Sequence, residues 1–209
     1  MEMLRMDHIT KIYPNGFVAN KDVTFAVNEG EIHSLVGENG AGKTTLMKIL
    51  FGMEDKQGGD IFIREQKVKI TSPLDAISKG VGMVHQHFML LNSLTVAEKV
   101  VLGIEPMKNG LFDFEEAVVM TQKIADKYNF ALDARTRVKD LSVGQMQKVE
   151  ILKALIKGAR VLILDEPTAV LTPQETEELF EQLLLLREDG HAIIFISHKL
   201  EEVMRLCSR

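Results

Sequence analysis

Cysteine is nearly missing from this chain. Cys207 is the only one in 209 residues, so no internal disulfide can form. That usage fits a reducing compartment. Long apolar runs are missing as well. Stretches such as Val161 to Leu164 and Ala192 to Ile196 fall far short of the roughly 20 residues that span a bilayer. The opening residues Met1 to Asp7 hold no apolar segment of the secretory kind. Any membrane role is therefore expected to run through a partner. Positive charge is not in excess either. The formal net charge is −5, which argues against nucleic acid as a partner. No internal repeat or low-complexity tract stands out. What is present is ordinary for a globular protein, 45% hydrophobic and 26% charged. The length suits one domain, or one domain with a small inserted lobe.

Strand and helix signals alternate along the chain, which predicts an α/β fold with a parallel sheet. The first thirty residues read as short strands, with Val23 to Val27 apolar at every second position. Ile32 to Val36 is an apolar-leaning run that ends in glycine, and Lys43 to Phe51 then has helical spacing through Leu46, Ile49 and Leu50. Ile61 to Ile63 and Val68 to Ile70 predict a small antiparallel sheet after the Gly58-Gly59-Asp60 turn. Val81 to Val84 reads as a buried strand. From about residue 90 to residue 158 the character is helical, over Thr95 to Leu102, Phe114 to Tyr128 and Gly144 to Lys157. In the middle segment Ala117, Met120, Ile124 and Tyr128 share one face. Strands return at Val161 to Leu164 and at Ala192 to Ile196. Between them Gln174 to Glu188 reads as a helix, capped by Thr172 with Pro173 in its first turn.

Gly37-Glu38-Asn39-Gly40-Ala41-Gly42-Lys43-Thr44 fits a phosphate-binding loop. Its glycines let the backbone turn tightly and aim N–H groups at an anion. The following helix presents the positive end of its dipole to the same point. Lys43 supplies a point charge for the β- and γ-phosphates, and the Thr44 hydroxyl suits Mg²⁺. Thr45 completes the segment.

Asp165 and Glu166 follow four apolar residues. The carboxyl end of a strand is where open α/β sheets bind ligands. Strand alternation would point the two carboxylates to different places. Asp165 is then expected to reach the metal, and Glu166 to polarise an attacking water. His85 and His87 share a strand face, yet no third metal ligand lies near them in sequence.

Leu141-Ser142-Val143-Gly144-Gln145 precedes the acidic strand by one helix. Ser142 is a good N-cap, and Gly144 lets an anion approach backbone N–H groups closely. With these segments in this order, nearly the whole chain resembles the nucleotide-binding domain of an ABC transporter. The resemblance implies a P-loop NTPase fold: a RecA-like core sheet, an antiparallel β subdomain and a helical lobe at about residues 90 to 158. It implies ATP and Mg²⁺ as cofactors. Tyr13 would stack on adenine, Gln86 would join Asp165 and Thr44 at the metal, and His198 would contact the γ-phosphate. Lys43, Glu166, Gln86 and His198 would carry hydrolysis. Ser142, Val143, Gly144 and Gln145 would touch the ATP of a second such domain.

Two departures narrow the branch. Val143 stands where most of the family has glycine, and Thr172 where it has aspartate. Both resemble the fused two-domain ATPases of bacterial nucleoside and simple-sugar importers, and Met83 to Leu90 leans toward the nucleoside side. The family continues past the position of Arg209 with further strands, and this branch with a second domain. The chain is thus expected to be the first of two domains, on the cytoplasmic face of a membrane, peripheral to a permease and indirectly served by a substrate-binding lipoprotein. A soluble ABC ATPase acting on DNA or ribosomes is the alternative of another class. Such proteins need coiled coils or basic linkers, and this chain shows neither.

Overall fold

The structure is a computed structural model that describes residues 1–38, 40–84 and 93–207. Four strands, β3 (Ile32–Leu35), β6 (Val81–Val84), β9 (Val161–Asp165) and β10 (Ala192–Ile196), form a parallel sheet in the order β3-β10-β9-β6. Both faces of this sheet are covered, so its strands read as nearly continuous apolar runs. Alternation then sorts the side chains. Val161, Ile163, Ala192, Ile194 and Ile196 enter one core; Leu162, Leu164, Ile193 and Phe195 enter the other.

The first core lies between the parallel sheet and an antiparallel sheet of order β2-β1-β4-β5, made by β1 (Glu2–Ile12), β2 (Val18–Asn28), β4 (Gly58–Ile63) and β5 (Gln66–Val68). The helix α1 (Lys43–Leu50) is packed into this layer through Leu46, Met47, Ile49 and Leu50. The short α2 (Pro73–Ser78) adds Ala76 and is capped by Ser72. β1 and β2 are eleven residues each, longer than the short strands read from the sequence. The reason is local. Their pairing shifts register between Met6 and Ile9, where His8 and Asp22 take left-handed backbone at φ 54° and 53°. Each bulge resets the two-residue alternation and makes one strand look like two.

The second core holds α5 (Val143–Ile156), α6 (Pro173–Glu188) and α7 (Leu200–Leu206) against the other face of the parallel sheet. α3 (Val96–Val100) and α4 (Phe114–Lys127) pack on α5. On α4 the buried line is Ala117, Thr121 and Ala125, continued by Tyr128. Met120 and Ile124, read as part of that face, are only half-buried. Within the 90–158 region the chain also makes a small hairpin, β7 (Met107–Lys108) with β8 (Leu111–Phe112), which the helical reading did not include. Strands of two residues are too short for periodicity to show.

α4 is tied back to the end of α6 by one carboxylate. Asp189 accepts hydrogen bonds from Lys127 Nζ at 2.8 Å and from the Tyr128 hydroxyl at 2.7 Å. The Lys127 contact, then the Tyr128 one, hold the Asp189 carboxyl below its ordinary range. A depressed folded-state pKa gives stability that is complete above the unfolded value and lost as pH falls through the folded one. Asp189→Asn should therefore unfold more easily than wild type at neutral pH in urea titrations. The gap should close as pH drops below about 4, the ordinary aspartate value.

Candidate functional site

The polar groups gather at the carboxyl ends of the parallel strands. β3 runs into the glycine loop, and α1 leaves it. Gly42 stands at the N-cap of α1 with left-handed backbone at φ 86°. A Cβ there would lie 2.3 Å from the Ala19 carbonyl oxygen and 2.8 Å from the Asn20 amide nitrogen. Asn20 in turn donates from Nδ2 to the Gly42 carbonyl at 3.2 Å. The start of β2 thus clamps the end of the loop, and only glycine fits the clamp. Lys43 folds over the loop, donating from Nζ to the carbonyls of Gly37 at 2.6 Å and Glu38 at 3.0 Å.

A cavity of about 180 Å³ opens here, lined by Phe17, Ala19, Gly40 to Thr45, Glu166 and Ile196. Among these residues Phe17, Gly40, Ala41 and Thr44 are exposed. Tyr13 sits beside it, its hydroxyl 3.4 Å from Thr45 Oγ1. Its ring stacks on Phe17 with centroids 6.3 Å apart, and Lys11 Nζ lies 5.0 Å from the Tyr13 centroid. Phe17, 54% exposed, was not read from the sequence as a site residue. Its signal was an aromatic just across the Pro14-Asn15-Gly16 turn from Tyr13.

Asp165 closes β9, on the parity of Val161 and Ile163, which face α1. Glu166 lies beyond the strand, so strand alternation does not aim it. Its φ is 48°, in the left-handed region, and its N–H donates to the Ile196 carbonyl at 3.0 Å. This backbone turn brings Glu166 to the cavity, at a local cost typical of functional sites. His198 follows β10, and its Nδ1 is 3.2 Å from Glu166 Oε1. An ionised carboxylate can only accept, so Nδ1 carries the proton in this contact. Glu202, on α7, was also missed. It accepts from the Thr168 hydroxyl at 2.6 Å and the Ser197 hydroxyl at 3.2 Å. That carboxylate fixes the loops after β9 and β10 against each other, and with them Glu166 and His198.

Ser142, Val143, Gly144 and Gln145 are not among the cavity's lining residues. They form the start of α5. The Ser142 hydroxyl accepts from Gln145 N–H at 3.2 Å, and Gln145 Oε1 accepts from Ser142 N–H at 2.9 Å, a reciprocal capping box. Val143 projects outward, 42% exposed. Gln86, His85, His87 and Asn39 lie outside the described residues.

A strand, a glycine loop and a helix on a parallel sheet, with a second acid-ended strand nearby, define the P-loop NTPase fold. Residues 20–169 match the ABC transporter family, and the chain belongs to it. Guanosine import ATP-binding protein NupO of Bacillus subtilis is 48% identical, over 99% of this chain and 40% of its own length. Glucose import ATP-binding protein TsgD13 of Haloferax volcanii is 47% identical, over 99% and 42%. Ribose import ATP-binding protein RbsA of Yersinia pestis is 44% identical, over 99% and 41%. The chain therefore spans about two fifths of these relatives. An ATP-binding cassette of an ABC transporter, solved in its ADP conformation, superposes with TM-score 0.87 at 26% identity, over 99% of this chain and 85% of that one. A dimeric bacterial cassette gives 0.79 at 25%, over 98% and 91%.

The clamp on the loop makes a direct test. Gly42→Ala should lower the thermal unfolding midpoint and weaken ADP binding. Gly40→Ala, where a methyl meets nothing within 4 Å, should change the midpoint less. Differential scanning fluorimetry and calorimetric ADP titration read both effects.

Proposed function

We propose that this chain binds ATP with Mg²⁺ and hydrolyses it as one of two paired domains, energising import of a small solute through a membrane permease. The observation that carries this reading is a division of labour. The phosphate loop and Glu166 line one cavity and His198 contacts Glu166, while Ser142 to Gln145, the proposed signature that serves a second domain's ATP, lie at another helix start, outside it. A site so divided is completed by a second domain.

The donor set suits the proposed ligands. Thr44 and Asp165 offer oxygens, which Mg²⁺ prefers, and Mg²⁺ is usually bound by one or two carboxylates together with substrate phosphates. Among the described residues no group of three His, Cys, Asp or Glu could hold a metal by itself, in keeping with a cation that arrives with its nucleotide. Gln86 is the third proposed protein ligand. The cation would neutralise charge on the phosphates. Loop N–H groups and Lys43 would hold the phosphates, and Tyr13 the base. Lys43 then exchanges its carbonyl partners at Gly37 and Glu38 for phosphate oxygens. Glu166 accepts a hydrogen bond from the attacking water, and His198 orients that carboxylate and stands beside the γ-phosphate. Little covalent chemistry falls to the protein; positioning and charge do the work.

Nucleosides are the proposed cargo class, from the segment Met83 to Leu90 and from relatives named for guanosine and nucleoside import. Ribose- and glucose-import relatives at similar identity keep a simple sugar as the second reading. Among the described residues no helix is long and apolar enough to cross a membrane. The proposed place is peripheral, at the cytoplasmic face, on a permease served by a substrate-binding lipoprotein.

Two substitutions separate binding from turnover. Lys43→Ala should abolish ATP binding in calorimetry, and unchanged affinity would remove the loop from the site. Glu166→Gln should keep binding but cut phosphate release by at least about a hundredfold, the scale of general-base loss. Wild-type release by that variant would remove Glu166 from its role.

A further inference from the structure

Glu175 gathers four donors from two helix starts. It is the third residue of α6, and its Oε2 accepts from the Thr172 N–H at 3.0 Å and the Thr172 hydroxyl at 3.1 Å. Its Oε1 accepts from the Ser142 hydroxyl at 3.1 Å and the Gly144 N–H at 3.2 Å. One carboxylate thus spans from the N-terminus of α6 to that of α5. Both helix dipoles point their positive ends at it. The Thr172 N–H first, then the hydroxyls of Thr172 and Ser142 and the Gly144 N–H, hold the Glu175 carboxyl below the usual range. Gly144 is shaped by the same contact, since a Cβ there would fall 2.5 Å from Glu175 Oε1.

The serine hydroxyl and the glycine N–H are a donor pair for an anion at a helix start. Here an anion of the same chain already holds them. Each donor has one hydrogen, so a phosphate oxygen and Glu175 Oε1 cannot both be served. Two negative charges at contact distance also repel. Resting on the signature reading above, we propose that Glu175 is a positioning residue that occupies the signature's anion seat, and that its carboxylate must leave Ser142 and Gly144 before the phosphate of a second domain's ATP can bind them.

The exchange has a short tether. Glu175 keeps its Thr172 donors when it leaves Ser142, so the seat refills as soon as the phosphate departs. Thr172 lies six residues past Glu166. Movement of Glu175 is therefore passed along a short connection toward the acidic end of β9 in the same domain. Thr172 suits this task, since it offers two donors and no charge. An aspartate at 172 would set a second carboxylate against Glu175.

The test compares the full chain with Glu175→Asp and Glu175→Gln. Glu175→Asp keeps charge and the cap on Thr172, but is one carbon too short to reach both helices. Glu175→Gln loses the charge. MgATP is titrated at fixed protein concentration and dimer is followed by sedimentation velocity, alongside ADP affinity at high dilution and the unfolding midpoint. Each variant should dimerise at an ATP concentration about tenfold lower than wild type, the scale of one lost hydrogen bond to a charged group. ADP affinity should stay within about twofold, because Glu175 does not line the phosphate-loop cavity. A structural cap would act with the opposite sign, since weakening it would loosen α6 and hinder pairing. Half-points unchanged or raised in both variants, with wild type dimerising, overturn the role of Glu175 alone. If ADP binds but no chain pairs at any ATP concentration, the paired-domain reading falls and takes this inference with it.

Discussion

A strand buried on both faces can present polar chemistry only at its ends. β9 and β10 obey this strictly. Val161 to Leu164 and Ala192 to Ile196 are all buried, and Asp165, Glu166 and His198 appear only where the strands stop. The parallel arrangement puts those stops on the edge from which the glycine loop also emerges. Everything else at the site is a device for holding that edge. Glu202 joins the two loops beyond the strands, and β2 clamps the loop at Gly42.

That clamp links the antiparallel sheet to the chemistry. Its strands pack over α1 through Met6, Phe25, Val27 and Ile61, and its Ala19-Asn20 backbone meets the helix start at Gly42. Tyr13 and Phe17 flank the turn between β1 and β2 and stack on each other, with Phe17 lining the cavity. A nucleotide bridging base stack and phosphate loop would thus contact one packed layer. The second layer, α5 with α3 and α4, presents a separate helix start to solvent.

The core elements were legible because their signals are short-range and strong. The strand-loop-helix around Lys43, the acidic strand end and the caps at Ser142 and Thr172 all appear where residue type predicts them. What escaped depends on geometry that spacing does not encode. Glu166 reaches the cavity through left-handed backbone rather than strand alternation. Bulges at His8 and Asp22 hid the length of β1 and β2. Thr172-Pro173-Gln174-Glu175 is a readable capping box, but its reach across to Ser142 and Gly144 joins residues more than thirty positions apart. Phe17 showed only as a hydrophobic residue after a turn.

The proposed division between phosphate loop and signature is the feature from which the proposed behaviour follows. On the proposed reading, a single copy would offer a nucleotide its loop, its acids and its histidine, but its signature donors lie elsewhere, at the start of α5. Turnover should therefore belong to the pair. The most direct measurement is phosphate release per chain at saturating MgATP as the chain's concentration is raised over about three decades. Activity per chain should climb from near zero at high dilution to a plateau, in step with dimer seen by sedimentation. A rate per chain that is brisk and flat across the whole range would contradict the account.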